Sequence, residues 1–398
     1  MISLHDKIVV VLGADGYIGW PLCNYLSELG AKVVGLDSCV KRDWELAVYG
    51  RPIARILPAT TRFKKAHIDF GVVDVCSRKL YDVVDRYLPH AIVHLAEQPS
   101  APLSMLSRQW ALETQRNNVQ GTLNLMYTCA HVATEKGIEV PHILKLGSMG
   151  EYGTPPFNIE EGWIEYRGAK VMMPKNPGSI YHLSKVHDSN NLEFACRTWG
   201  FGVTDINQGI VWGTETWDTP FMSECRTAFH VDTIFGTVLN RFVAQAAIGS
   251  PLTVYGTGTQ TRGFINLSDT LECMALAIQQ PPQEGEFRVI NQLTDIFSVQ
   301  QLAELVSEAS GVDIQHIENP RVEAENHTYQ VVCDKMEELG FTGVPKHLSL
   351  GPVKNMISQL KALPGIRRPS SLNKIKGLPS VKWRRGGLSP SSSEGEGI

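Results

Sequence analysis

Residues 8–19, IVVVLGADGYIG, set an unbroken apolar run directly against glycines at 13, 16 and 19. Five apolar residues without a charge predict a short strand buried on both faces. The glycine spacing predicts a tight turn into a helix, where the backbone can approach a pyrophosphate and the helix N-terminus stabilises its charge. Gly13, Asp15, Gly16, Tyr17, Ile18 and Gly19 therefore form a candidate dinucleotide-binding turn. A second apolar run, residues 31–37 (AKVVGLD), ends on Asp37. That carboxylate can accept hydrogen bonds from both adenosine ribose hydroxyls, whereas a 2′-phosphate there would meet like charge, which favours NAD over NADP. Lys41 and Arg42 follow closely and join the candidate cofactor residues.

Outward from this unit, apolar runs recur at 91–97 (AIVHLAE) and 142–148 (HILKLGS), with helical patterns between them. Strand and helix in repetition predict an α/β fold, a Rossmann-type doubly wound parallel sheet. Leu95, Ala96 and Glu97 end the fourth strand, where a cofactor passes, and Asn118 is grouped with them. Asp74 and Val75 follow a short third strand and point to adenine, although Asp74 fits a helix cap equally well. Residues 205–212 (DINQGIVW) read as one further strand. The rhythm then breaks: 214–230 reads as a substrate-covering loop, and helices are expected at 236–248, 267–279 and 300–309. The expected division is a cofactor domain over 1–212, partly rejoined by 236–266, a smaller α/β substrate domain over 213–365, and a basic tail over 366–398. The last ten residues of that tail are too polar to fold alone.

Tyr181 and Lys185 in IYHLSK lie four residues apart, on one face of a helix. A phenol with a reference pKa of about 10 is a poor base at neutral pH. A neighbouring ammonium and a positive nicotinamide ring stabilise the phenolate, which can then take a hydroxyl proton as hydride leaves carbon. Ser148 ends the strand at 142–148 and offers a hydroxyl to the reacting oxygen. His182, beside the tyrosine, is the candidate extra proton shuttle, since imidazole titrates near neutrality.

Over 398 residues the chain is 43% hydrophobic and 20% charged, with a formal net charge of -4, so nothing recommends nucleic acid as a partner. Eight scattered cysteines with no CxxC pair fit neither a disulfide framework nor a zinc site. No apolar run reaches membrane-spanning length. A cytoplasmic location is expected, or a stromal one if a transit peptide has been removed.

The strings GEYGTP (150–155), YHLSKVHDS (181–189), NQGIVWG (207–213), FGTVLNRF (235–242), PLTVYGTGTQTRG (251–263), GEFRVINQ (285–292) and NPRVEAE (319–325) resemble, in order and spacing, the UDP-sulfoquinovose synthases. These form a family within the extended short-chain dehydrogenases, and the likeness runs through PSVKW (379–383), about nine-tenths of the chain. The resemblance implies NAD as cofactor and UDP-glucose and sulfite as substrates. Hydride leaves C4, water is lost across C5 and C6, sulfite adds at C6, and the hydride returns to C4. It implies that Asn207 contacts the diphosphate region, and that Arg241, Arg262 and Arg321 neutralise phosphate or hold the nucleotide ribose. Gln260 lies in the same strand region, and Gln98, Met149, Gly150 and Gln208 complete the substrate set with Ser148. It also implies a homodimer paired through the helix carrying Tyr181 and a helix near 120–134.

Two positions depart from the family. Ser148 stands where the synthases carry threonine, which keeps the hydroxyl. Pro99 stands where they carry an arginine near the sugar and sulfite, and proline can neither donate a hydrogen bond nor hold an anion. A UDP-hexose 4-epimerase that uses no sulfite is therefore the first alternative. An ordinary 4,6-dehydratase is disfavoured, since Met149 and Gly150 occupy the positions of its acidic pair and neither moves a proton. A non-catalytic NAD-binding scaffold is the alternative from another class, and it has no use for Ser148, Tyr181 and Lys185 together.

Overall fold

In the computed structural model, which describes residues 3–50, 53–319, 330–341 and 344–376, the strand Ile8–Leu12 lies in the interior of a seven-stranded sheet, beside its central strand. The sheet is parallel throughout. From one edge to the other its strands are Asp69–Val72, Lys32–Asp37, Ile8–Leu12, Ala91–His94, His142–Leu146, Val203–Gln208 and Phe287–Gln292. Strand order thus reverses between Ile8–Leu12 and Ala91–His94, and a crevice opens at their carboxyl ends. The pleat explains why these strands carry apolar residues without alternation. Val9 and Val11 face one core, shared with the helices Gly19–Glu28 and Leu267–Gln279. Val10 and Leu12 face the other, shared with the helices Gly121–Lys136 and Ile180–Trp199.

A third core holds the smaller part together: the helices Val238–Ile248, Val299–Ser310, Leu350–Lys361 and Pro369–Lys376 pack around Phe242, Val243, Leu302 and Val353. The parallel pair Leu252–Tyr255 and Ile314–Ile317 and a three-stranded sheet of Asp295–Ser298, Thr261–Asn266 and Ile210–Trp212 complete it.

Two expectations need correction. The run 205–212 is two strands in different sheets, because the chain bends at Gly209, where a Cβ would come within 2.8 Å of the Gly263 carbonyl oxygen. Of the segment 236–266, Ile265 reaches the large-sheet core, and the return continues through 267–292. Leu267, Leu271, Met274 and Ile278 cover one face of the sheet and Phe287–Gln292 adds its last strand, while Leu239, Phe242, Leu252 and Val254 pack into the smaller part.

The large sheet's last strand is pinned by a buried carboxyl. Glu161 accepts the backbone N–H groups of Asn291 (3.0 Å) and Lys335 (3.0 Å), tying residues 330–335 to the sheet. Burial outweighs these bonds and pushes Glu161 up to about 7. A carboxyl whose folded pKa lies above its unfolded value binds more protons when folded, so its contribution is fully present below about 4.5 and is lost as pH rises through about 7. In Glu161→Gln, whose single amide oxygen can accept only one of the two bonds, stability should be lower at pH 5, and the fall in denaturation midpoint between pH 5 and 8 should flatten because the titrating group is gone.

Candidate active site

The crevice at the strand reversal opens into one cavity of about 740 Å³ that runs from Asp37 past Tyr181 to Arg241 and Arg262. Its floor is the glycine turn. Gly13 has φ +82°, and a Cβ there would lie 2.5 Å from the Leu95 backbone, so only glycine lets the first and fourth strands close up at this point. A Cβ on Gly19 would lie 2.1 Å from the Gly13 carbonyl oxygen, so the helix Gly19–Glu28 can start this close to the strand only without a side chain. Asp37 is fixed at the far end, accepting the backbone N–H groups of Asp15 (2.8 Å) and Cys39 (2.7 Å), and burial raises its pKa. Tyr17, Ile18, Lys41, Val75, Leu95, Ala96 and Glu97 also line this half.

Four residues assigned to the cofactor do not line this cavity. Asp15 is buried with its carboxylate held by Arg62 and by Arg42 (2.6 Å), so both Asp15 and Arg42 serve the wall behind Asp37. Asp74 caps the turn after the third strand, accepting the Cys76 N–H (2.8 Å). Asn118 is buried under Gln98 and Ser184, and its neighbour Asn117 is the one on the cavity wall. These two asparagines share a π-helical turn, Arg116–Gln120, which shifts the helix register that sequence periodicity assumes.

A loop over 213–237 straps the cavity. Backbone carbonyls along it accept from Tyr17 Oη (to Gly213, 2.6 Å), Leu57 N (to Glu224, 3.1 Å), Trp20 Nε1 (to Cys225, 2.6 Å), Arg62 Nη1 (to Arg226, 2.8 Å) and Ser100 Oγ (to Ile234, 2.6 Å). Every donor belongs to the large-sheet half. His230, on the same loop, lies 3.1 Å from Glu45, which also pairs with Lys41 (2.6 Å).

The catalytic candidates meet in the middle of the cavity, where Ser148, Tyr181, His182 and Lys185 all line its wall. Ser179 caps the helix Ile180–Trp199 and places Tyr181 and Lys185 one turn apart at its start. Lys185 Nζ donates to the Leu146 carbonyl oxygen, pairs with Glu97 Oε2 (2.7 Å) and lies 5.8 Å from the centroid of the Tyr181 ring. Ser148 caps the turn Met149–Glu151, whose Glu151 accepts the Ser148 N–H (3.0 Å). His182 packs against Tyr181 with ring centroids 4.9 Å apart, and its Nδ1 meets Ser179 Oγ (2.9 Å). A Cβ at Gly150 would lie 2.3 Å from His182 Nε2, so the imidazole stands where a side chain at 150 would project.

The tyrosine differs from expectation in one respect. Burial dominates and raises the Tyr181 pKa, Lys185 lowers it, and Glu97 and Glu151 raise it again. The ammonium is present, but it shares its field with carboxylates.

Beneath these groups lies a buried charge cluster that the sequence reading missed. Lys145 Nζ, fully buried, pairs with Glu151 Oε1 (3.1 Å) and Asp205 Oδ1 (3.3 Å) and donates to the Lys185 carbonyl (3.0 Å) and Ser189 Oγ (2.9 Å). Lys175 holds the other oxygen of Glu151 at 2.7 Å. Burial alone would raise the Glu151 pKa, but Lys145 and Lys175 more than offset it and hold it well below the usual carboxylate range. A lysine inside the apolar run HILKLGS was the available signal.

Toward the substrate half, Met149, Gly150, Gln208, Arg241, Gln260 and Arg262 line the cavity. Arg241 donates to the Thr253 carbonyl (2.8 Å) and stacks 4.1 Å from the Tyr255 centroid, an arrangement that fixes its guanidinium plane. Asn207 does not line the wall. It follows the pleat opposite to Gln208 and donates to Tyr152 Oη (2.7 Å). Gln98 is likewise buried, with its amide committed to Ser100 and Thr114. Arg321 lies outside the described residues. Pro99 is exposed on the cavity wall. Among the described residues no three His, Cys, Asp or Glu side chains gather as a metal site, and no helix is long and apolar enough to cross a membrane.

Comparison with known proteins agrees with this geometry. The sequence model of the NAD dependent epimerase/dehydratase family matches residues 9–291. The chain belongs to that family. It is 42% identical to the chloroplastic UDP-sulfoquinovose synthase of Spinacia oleracea, over 96% of this chain and 80% of the spinach protein. It is 40% identical to the UDP-sulfoquinovose synthase of Sulfolobus acidocaldarius, over 95% of this chain and 98% of that one. The fold matches the UDP-glucuronic acid 4-epimerase of Bacillus cereus, solved with UDP-glucuronic acid and NAD, at a TM-score of 0.65 and 19% identity, covering 89% of this chain and 99% of that one. NAD is the cofactor, and the residues present fit it: a side-chain-free turn at Gly13 and Gly19, a carboxylate at Asp37 and an ammonium at Lys185 line one continuous crevice.

Proposed function

We propose that this protein makes UDP-sulfoquinovose from UDP-glucose and sulfite. The observation that carries the reading is identity of 40% or more to two such synthases over 95% or more of the chain, with Ser148, Tyr181 and Lys185 together on one cavity wall. Bound NAD supplies an acceptor that takes hydride from the sugar and gives it back. Gly13, Gly19, Asp37 and Lys185 would hold it. Tyr181 Oη takes the C4 hydroxyl proton as hydride leaves and returns it at the end, while Ser148 Oγ donates to the same oxygen. A ketone at C4 acidifies the C5 proton, and loss of the C6 hydroxyl leaves an alkene open to a nucleophile. With glycine at 150, His182 is the titratable side chain placed to move these protons. Arg241 and Arg262 would meet the diphosphate, since a planar guanidinium pairs with two oxygens at once. The strap over 213–237 keeps water from the oxidised sugar.

Pro99 favours a second reading, a UDP-hexose 4-epimerase, because it removes a cation from the wall. Purified protein given UDP-glucose with and without sulfite separates the two by mass spectrometry. A sulfonated UDP-sugar formed only with sulfite is the expected product; an isomer of unchanged mass under both conditions would establish the epimerase instead. Pro99→Arg should lower the sulfite KM by roughly tenfold, the worth of one charge-assisted hydrogen bond. Homodimer formation is part of the proposal. Tyr127 and Phe194, on the helices Gly121–Lys136 and Ile180–Trp199, are large and exposed, as a helix-paired interface requires.

A further inference from the structure

Glu97 faces Lys185 from the loop after the strand Ala91–His94, and its side chain is 3% exposed. A carboxylate so deeply buried is costly unless paired. Glu97 Oε2 has the Lys185 ammonium at 2.7 Å, while Oε1 meets no hydrogen-bond partner among the described residues. The pair is more than a packing detail, because the same ammonium stands 5.8 Å from the ring of Tyr181. The charges facing this point come from several elements. Lys185 and Tyr181 share one helix, Glu97 comes from the loop after the fourth strand, Lys145 from the strand His142–Leu146, and Glu151 from the turn that follows it. Asp188, one turn beyond Lys185, is buried, and after burial itself the Glu97 carboxylate is what raises its pKa.

We propose that Glu97 is a positioning residue for proton transfer at C4: it anchors the Lys185 ammonium beside Tyr181 and cancels part of its field, which adds to burial in keeping the proton on the phenol in the protein awaiting substrate. The consequence is a base that is not permanently charged. Lysine alone would pull the phenol toward phenolate against the effect of burial, whereas the lysine and glutamate together are nearly neutral at the distance of the ring. A tyrosine that must first give up and later recover the same proton is served by that balance. The inference rests on the proposed role of Tyr181 and extends it to a residue that touches neither the sugar nor the reacting proton.

The test is Glu97→Gln, which keeps the shape and removes the charge. Phenolate absorbance is titrated in the cofactor-free protein and compared with a Glu97→Gln/Tyr181→Phe double variant, which subtracts the other tyrosines. The expected result is a Tyr181 pKa lower by about one unit than in the parent. In the NAD-loaded protein, the acid limb of single-turnover sugar oxidation should shift down by the same amount, roughly tenfold in rate at a fixed pH on that limb. Glu97→Asp, with the charge kept but the reach shortened, should fall between the two and serves as the readout if the glutamine variant does not fold. An unchanged phenolate titration in folded Glu97→Gln, or in Glu97→Asp where that variant alone folds, would overturn the proposal, even if stability fell. The titration needs no substrate, so it stands apart from any failure of the proposed reaction: absent sugar oxidation in the parent would count against the function and leave the Glu97 result to be read independently.

Discussion

Tyr181→Phe should lower turnover with UDP-glucose by about 100- to 10,000-fold, the usual worth of a positioned general base, while NAD binding stays within a few-fold of the parent. The separation follows from the cavity. The groups that seat the cofactor are the glycine turn, Asp37 and Lys185, and none of them depends on the phenol oxygen for its place: Lys185 is held by Glu97 and the Leu146 carbonyl, and Asp37 by two backbone N–H groups. Cofactor affinity measured by fluorescence titration and turnover measured by product mass should therefore part company in this variant. Equal loss of both would mean that the tyrosine is a structural member of the pocket; unchanged turnover would remove it from the chemistry.

Lys145→Met should destabilise the fold by about 3–5 kcal/mol, among the largest single losses available in this chain. The ammonium is fully buried and stands between Glu151 and Asp205, so its removal leaves two carboxylates in the interior without the cation between them. Lys175 remains on one side of Glu151 only. The sign of the pH dependence follows. Glu151 has a folded pKa held below its unfolded value, so its contribution is present at neutral pH and disappears as pH falls through the acid range. In Lys145→Met that acid-labile part shrinks, and the difference from the parent in denaturant midpoint should narrow as pH falls below the ordinary glutamate value of about 4.5. Activity should fall as well, because Lys145 also holds the Lys185 carbonyl and, through Glu151, the Ser148 N–H. A variant as stable as the parent at pH 7 would mean that the cluster is solvated and not the strut described here.

The sheet and the reacting centre were legible in the sequence because both are local. IVVVLGADGYIG carries its own strand, turn and helix start, and Tyr181 and Lys185 meet through the four-residue geometry of a helix. What was not legible is non-local. Asp15 belongs to Arg62, 47 residues away, and nothing near Asp15 announces that partner. The Asn117 side chain took the place expected of Asn118 because of a single π-helical turn. Asn207 and Gln208 were both expected at the substrate, but adjacent strand residues face opposite sides, and of the two Gln208 lines the wall. Glu97 was read as a strand end near cofactor, but its pairing with Lys185 joins a loop to a helix 88 residues later and appears only in three dimensions.

The measurement that tests the central claim most directly uses UDP-glucose carrying deuterium at C4, with sulfite and the NAD-loaded protein. Hydride that leaves C4 and returns within one closed cavity predicts a sulfonated UDP-sugar that retains the deuterium, formed more slowly than from unlabelled substrate in a single turnover. Sulfonated product that has lost the label to solvent, or formation with no isotope effect on the oxidation step, would contradict the account.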